Sequence, residues 1–118
     1  MRFDPARRLT VAEAMSKIPT VEGKQFAPIF EHGSLQVEIY APRGVDPQSA
    51  HDRDEIYVVV AGRGTFASGA GRVRFATGDV LFAAAGEVHR FEDFTDDFVT
   101  WVFFYGPLGG ERTSEQMR

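Results

Sequence analysis

The chain reads as an all-β protein, an antiparallel sandwich or barrel with one short helix in front. Three observations predict this. Short runs of β-branched and aromatic residues recur at close spacing between Gln25 and Tyr105. Glycine-bearing turns separate them, among them His32-Gly33-Ser34, Gly69-Ala70-Gly71, Gly78-Asp79 and Ala84-Ala85-Gly86-Glu87. Such spacing points to about eight or nine strands and away from βαβ units.

Residues 1–9 read as an arm. The run Thr10 to Ile18 reads as a short helix, with Thr10 as N-cap and Glu13 as its reciprocal partner three residues on. Val11, Ala14, Met15 and Ile18 fall on one side, and Pro19 ends it. Two turns do not stand alone in water, so this helix must dock on something larger. Strands are expected at Phe26 to Glu31 and Leu35 to Ala41, joined by the His32-Gly33-Ser34 turn. In the second, Leu35, Val37 and Ile39 alternate with Gln36, Glu38 and Tyr40, the pattern of a half-buried strand. Pro42 to Pro47 is punctuated as loop.

Further strands follow at Ile56 to Ala61, Thr65 to Ser68, Arg72 to Ala76 (Val73 and Phe75 facing in), Val80 to Ala83 and Val88 to Phe91. Asp93 to Asp97 is an acidic loop before the apolar closing strand Phe98 to Tyr105. The chain thus divides into an arm with its helix (1–24), a β unit (25–106) and a polar, partly disordered tail (107–118). Ile56 to Ala61 and Phe98 to Tyr105 are apolar on both faces. One face of each needs cover beyond the core, from the helix or from another subunit, and a homodimer is expected.

A chain of 118 residues makes one domain, and 43% hydrophobic with 25% charged residues is ordinary for a soluble one. The net charge of −4 comes without a basic block, which argues against nucleic acid as a partner. No cysteine is present, so disulfides and thiolate zinc sites are excluded. The charged start has no apolar segment behind it, and nothing approaches a membrane span, so a cytoplasmic location is expected. Eleven phenylalanines point to a core, pocket or subunit contact rich in rings.

Chemistry concentrates in Ser49 to Gly64, where His51 and Glu55 precede a β-branched run. On one straight strand those two would lie roughly 13 Å apart, too far to share an ion. A turn at Asp52-Arg53-Asp54 is therefore expected to fold His51 back over the strand mouth, since Asp favours turns. His89 stands at the start of another strand. Antiparallel β folds bring distant strand mouths together, so His51, Glu55 and His89 are candidates to converge. Two imidazoles and one carboxylate suit iron, zinc, manganese or nickel and leave coordination positions open.

These residues resemble the cupin family. Its first motif runs His-x-His, three or four residues, Glu, six residues, Gly; here His51, Glu55 and Gly62 fit, and Ser49 stands at the first histidine. Its second motif is matched by Gly78, Gly86 and His89, with Ala84 for the proline and Asp93 for the asparagine. The resemblance covers roughly residues 35 to 105 and implies a jelly-roll β-barrel, the double-stranded β-helix. It also implies that His51, Glu55 and His89 ligate one divalent ion. Gln48 is a second-rank ligand candidate, one residue out of phase with His51.

Tyr57 and Phe91, each two residues from a proposed ligand, are candidates for pocket lining as well as core. His32 has no motif position and is expected on a surface turn. Gly62 and Gly64 lack a following helix and serve turn geometry, not anion binding. The expected function is a metal-dependent enzyme on a small organic molecule, an oxygenase or isomerase. The alternative is a non-catalytic module holding a small ligand, which the Ser49, Ala84 and Asp93 departures favour. A purely structural dimer is the third reading.

Overall fold

The computed structural model describes residues 7–113, so expectations resting on residues 1–6 and 114–118 lie outside the described residues. Helix α1 (Val11–Met15) is capped by Thr10, whose hydroxyl accepts from the Glu13 N–H. It is shorter than expected, because the backbone tightens after Met15. Lys17 and Ile18 donate to Ala14 and Met15, three residues back, before Pro19 is reached.

Eight strands follow: β1 (Phe26–His32), β2 (Leu35–Tyr40), β3 (Asp54–Ala61), β4 (Arg63–Ser68), β5 (Gly71–Ala76), β6 (Val80–Ala83), β7 (Arg90–Glu92) and β8 (Val99–Tyr105). They form a five-stranded sheet in the order β1-β2-β8-β3-β6 and a three-stranded sheet in the order β5-β4-β7. All pairs are antiparallel. β3 and β8, the two strands apolar on both faces, pair centrally in the larger sheet, which is where such strands belong.

Between the sheets lies a core of Tyr40, Tyr57, Val59, Phe66, Phe75, Phe91, Phe98, Val102 and Phe104. Phe91 is its hub, with ring centroids 4.7 Å from Phe98, 4.9 Å from Tyr57 and 5.3 Å from Phe66. Gly62 lets β3 pass into β4 at φ +93°, where a Cβ would meet the Phe98 backbone at 2.7 Å. Val73 is on the expected face but is not buried. It shares a face with Phe75 but lies toward the tip of the β4–β5 hairpin and stays 54% exposed.

Helix α1 covers one part of the outer face of the larger sheet. Ala14 packs with Ala27, Ile29 and Ile39, and Leu9, Met15, Ile18, Val99 and Trp101 close around them. The alternation along β2 therefore has a different meaning from the one its polarity suggested. Ile39 packs with the helix and Val37 is buried on the same face, while Glu38 and Tyr40 line a cavity on the other. The start of the tail is also fastened: Gly109 donates to the Asp52 carbonyl, and Glu111 to the Asp54 carboxylate. Among the described residues no helix is long and apolar enough to cross a membrane.

Candidate metal centre

Glu55 is the second residue of β3, opposite Phe104 on one side and Ala83 on the other. His51 lies before the strand, and the chain bends at Asp52 and Arg53. Three contacts hold that bend. The Gly86 N–H donates to the His51 carbonyl at 2.7 Å, Ala85 N–H donates to the Asp54 carboxylate at 2.9 Å, and Arg53 donates to the Ser34 carbonyl. His51 then rests edge-on against Phe104 at 5.0 Å. The expected reversal is present, and ligand atoms of His51, Glu55 and His89 all lie within 4.8 Å of one another.

The hydrogen bonds fix which atoms face the centre. His89 Nδ1 lies 2.8 Å from the Glu87 carbonyl, which only accepts, so this nitrogen carries the proton. Nε2 is thereby turned toward Glu55 Oε1 at 2.5 Å and the Tyr57 hydroxyl at 3.0 Å. Glu55 is 1% exposed, and neither of its oxygens has an aligned hydrogen-bond donor. A nitrogen lone pair and a carboxylate oxygen this close call for a positive charge between them, a proton or a metal ion. Burial works against a charged His89, but the Glu55 carboxylate and Glu87 carbonyl outweigh it and raise its pKa. Burial, then the charge of Glu55, holds the Tyr57 phenol well above its ordinary pKa, and hence neutral.

Gln48 lies in the irregular stretch before β3, so the strand-phase objection to it does not apply. Its Oε1 sits 3.4 Å from His51 Nε2 and accepts from the Tyr57 hydroxyl at 3.2 Å. A cavity of about 560 Å³ opens beside the cluster, a size suited to a small organic molecule. His51, Glu55, Gln48 and Tyr57 stand on its wall together with Phe26, Tyr40, Val102 and Phe104. Phe91 does not line it. It lies a layer deeper, 1% exposed, packed behind Tyr57. His32 is exposed at the β1–β2 hairpin, as expected for a surface turn.

The cupin-domain family model matches residues 36–105. The chain belongs to the cupin family. An uncharacterized protein of Streptomyces coelicolor is 36% identical over 76 residues, covering 63% of this chain and 72% of that one. A conserved double-stranded β-helix protein of Klebsiella pneumoniae superposes with a TM-score of 0.67 at 20% identity, over 84% of this chain and 89% of its own. A predicted oxalate decarboxylase of Thermotoga maritima gives a TM-score of 0.54 at 22% identity, over 68% and 77%.

Within this cupin the donor set fits a divalent ion: two imidazoles and a buried carboxylate whose oxygens lack donors. Two participants were not singled out from the sequence. Asp46, read only as part of a loop, is 2% exposed and anchors Gln48. Glu38 stands on the cavity wall, where burial and then the charge of Glu55 raise its pKa against a bond from the Gln36 amide. A buried-strand alternation at Glu38 and an Asp-x-Gln spacing at 46–48 were the only signals available.

Proposed function

We propose that this cupin binds one divalent ion through His51, Glu55 and His89 and presents it to a small organic molecule in the adjoining cavity. The observation that carries the reading is Glu55, a buried carboxylate whose Oε1 lies 2.5 Å from His89 Nε2, the ring nitrogen turned away from the Glu87 carbonyl. A buried carboxylate costs several kcal/mol unless a positive charge beside it offsets the loss of water, and an ion at this point supplies that charge. When bound, the ion supplies Lewis acidity or an oxygen-activating centre, the chemistry of a metal-dependent oxygenase or isomerase.

The chain's own residues do the rest. Aromatic walls exclude water and hold the apolar body of the molecule. Tyr57 keeps its proton beside His89 and Gln48, and Glu38 offers an acid–base group on the cavity wall, in the strand row of Val102 and Tyr57. The test is elemental analysis of tag-free protein, followed by turnover screens with loaded enzyme. An ion lost in His51→Ala and His89→Ala, with turnover, is the expected result; protein that takes up no divalent ion sinks the reading.

Ser49 at the first-histidine position supports a second reading, a module that binds a small ligand without converting it. Bound ion and bound ligand with no turnover would favour it. A homodimer belongs to either reading: β6 carries Val80 and Phe82, 65% and 52% exposed, on the part of the outer face that α1 leaves bare.

A further inference from the structure

With Ser49 at the position of the family's first histidine, the centre is one side chain short of the family's set. Asp46 is buried and accepts from four donors. Its Oδ1 takes the Tyr40 hydroxyl and the Gln48 N–H at 3.1 Å; its Oδ2 takes the Phe91 N–H at 2.8 Å and the Gln48 side chain at 2.6 Å. With both Asp46 oxygens accepting, the Gln48 atom against Oδ2 has to be the amide nitrogen. The amide is thereby locked, and its oxygen is turned toward Tyr57 at 3.2 Å and His51 at 3.4 Å.

Counting donors and acceptors at this point gives an imbalance. Glu55 contributes two buried oxygens without aligned donors, one of them 2.5 Å from His89 Nε2, and Gln48 a carbonyl oxygen. Against these stand the single Tyr57 proton and one His51 N–H. An amide oxygen has two lone pairs, and Tyr57 occupies only one. We propose that Gln48 Oε1 is the fourth protein ligand of the ion, standing in for the histidine that Ser49 replaces. The inference rests on the metal-binding reading. It makes the donor set two nitrogens and two oxygens, a harder set than three imidazoles and one carboxylate.

Cobalt(II) titration of the full chain, followed by calorimetry and visible absorption, tests it. Unmutated protein should bind one ion and His89→Ala none. Gln48→Leu should bind at least tenfold more weakly, with changed d–d bands and an unchanged far-ultraviolet circular dichroism spectrum. Equal affinity and identical bands in Gln48→Leu overturn the proposal and leave the His51–Glu55–His89 reading standing. No cobalt uptake by unmutated protein overturns that reading first, and this proposal with it. Should Gln48→Leu fail to fold, zinc titration of nitrogen-15-labelled unmutated protein decides: the Gln48 side-chain NH2 pair must shift, and an unmoved pair overturns the proposal.

Discussion

The Gly86 N–H donates to the His51 carbonyl at 2.7 Å, so the loop between β6 and β7 holds the first metal-ligand candidate by its backbone. Gly86 achieves this at φ +78°, a conformation costing a residue with a Cβ about 1–2 kcal/mol. Gly86→Ala should therefore lower the melting temperature by several degrees and weaken ion binding about tenfold by displacing His51. Gly78 is the control. It has φ +92° and bonds the Val59 carbonyl at the opposite end of β3. Gly78→Ala should show a similar stability loss with unchanged ion affinity. Equal loss of affinity in both variants would mean that general strain, not the hold on His51, sets the effect.

Glu55 and His89 should be expendable together for the fold and indispensable for the ion. In the metal-free protein the buried Glu55 carboxylate has His89 Nε2, 2.5 Å away, as its counter-group. Removing one partner of such a pair costs about 3–5 kcal/mol, whereas replacing both by apolar residues of similar volume is often neutral or stabilising by about 1–4 kcal/mol. Metal-free Glu55→Leu should thus melt lower than metal-free unmutated protein, and metal-free Glu55→Leu/His89→Leu no lower, while neither binds an ion. A marked drop in the denaturant midpoint of the double variant would show instead that the Glu55–His89 pair holds the fold together.

How much of this was legible in the sequence follows from the physics of each residue. Strand periodicity and glycine turns give the two-sheet architecture, and motif spacing gives His51, Glu55 and His89 because turn chemistry at Asp52 is local. Periodicity separates the two faces of β2 but does not say what covers each. Both are covered here, so Glu38 reads as solvent-facing and in fact stands on the cavity wall. Phe91 shows the reverse error: it has the right phase, but Tyr57 stands between it and the cavity. Asp46 was beyond reach, since its partners Tyr40, Gln48 and Phe91 meet only in the folded chain.

Glu38 predicts a pH dependence with a definite sign. Burial and the Glu55 charge raise its folded pKa above the usual 4.5, despite the opposing Gln36 bond and Arg53 charge. Between the unfolded and folded values the folded state binds more protons, so stability falls as pH rises through that window. Its contribution is fully present below the ordinary carboxylate value and is lost above the raised one. Melting curves of metal-free protein between about pH 4 and 7 should show Glu38→Gln losing less stability than unmutated protein as pH rises. Parallel curves would mean that Glu38 is freely hydrated and that its place on the wall is immaterial.

The outer face of the larger sheet predicts the assembly. In register across it run Phe103, Ile56 and Phe82 in one row, and Trp101, Val58 and Val80 in the next. Helix α1 covers the Trp101 end, while Phe82 and Val80 on the edge strand stay more than half exposed. Apolar side chains in adjacent rows on an edge strand invite a second copy of the same surface, with about 25 cal/mol for each Å² of apolar area withdrawn from water. Light scattering should find a dimer for the unmutated protein. Phe82→Asp should shift it to monomer with the same circular dichroism spectrum and the same ion affinity, because Phe82 points away from the cavity. A Phe82→Asp protein that remains dimeric places the interface elsewhere, and an unmutated monomer removes it altogether.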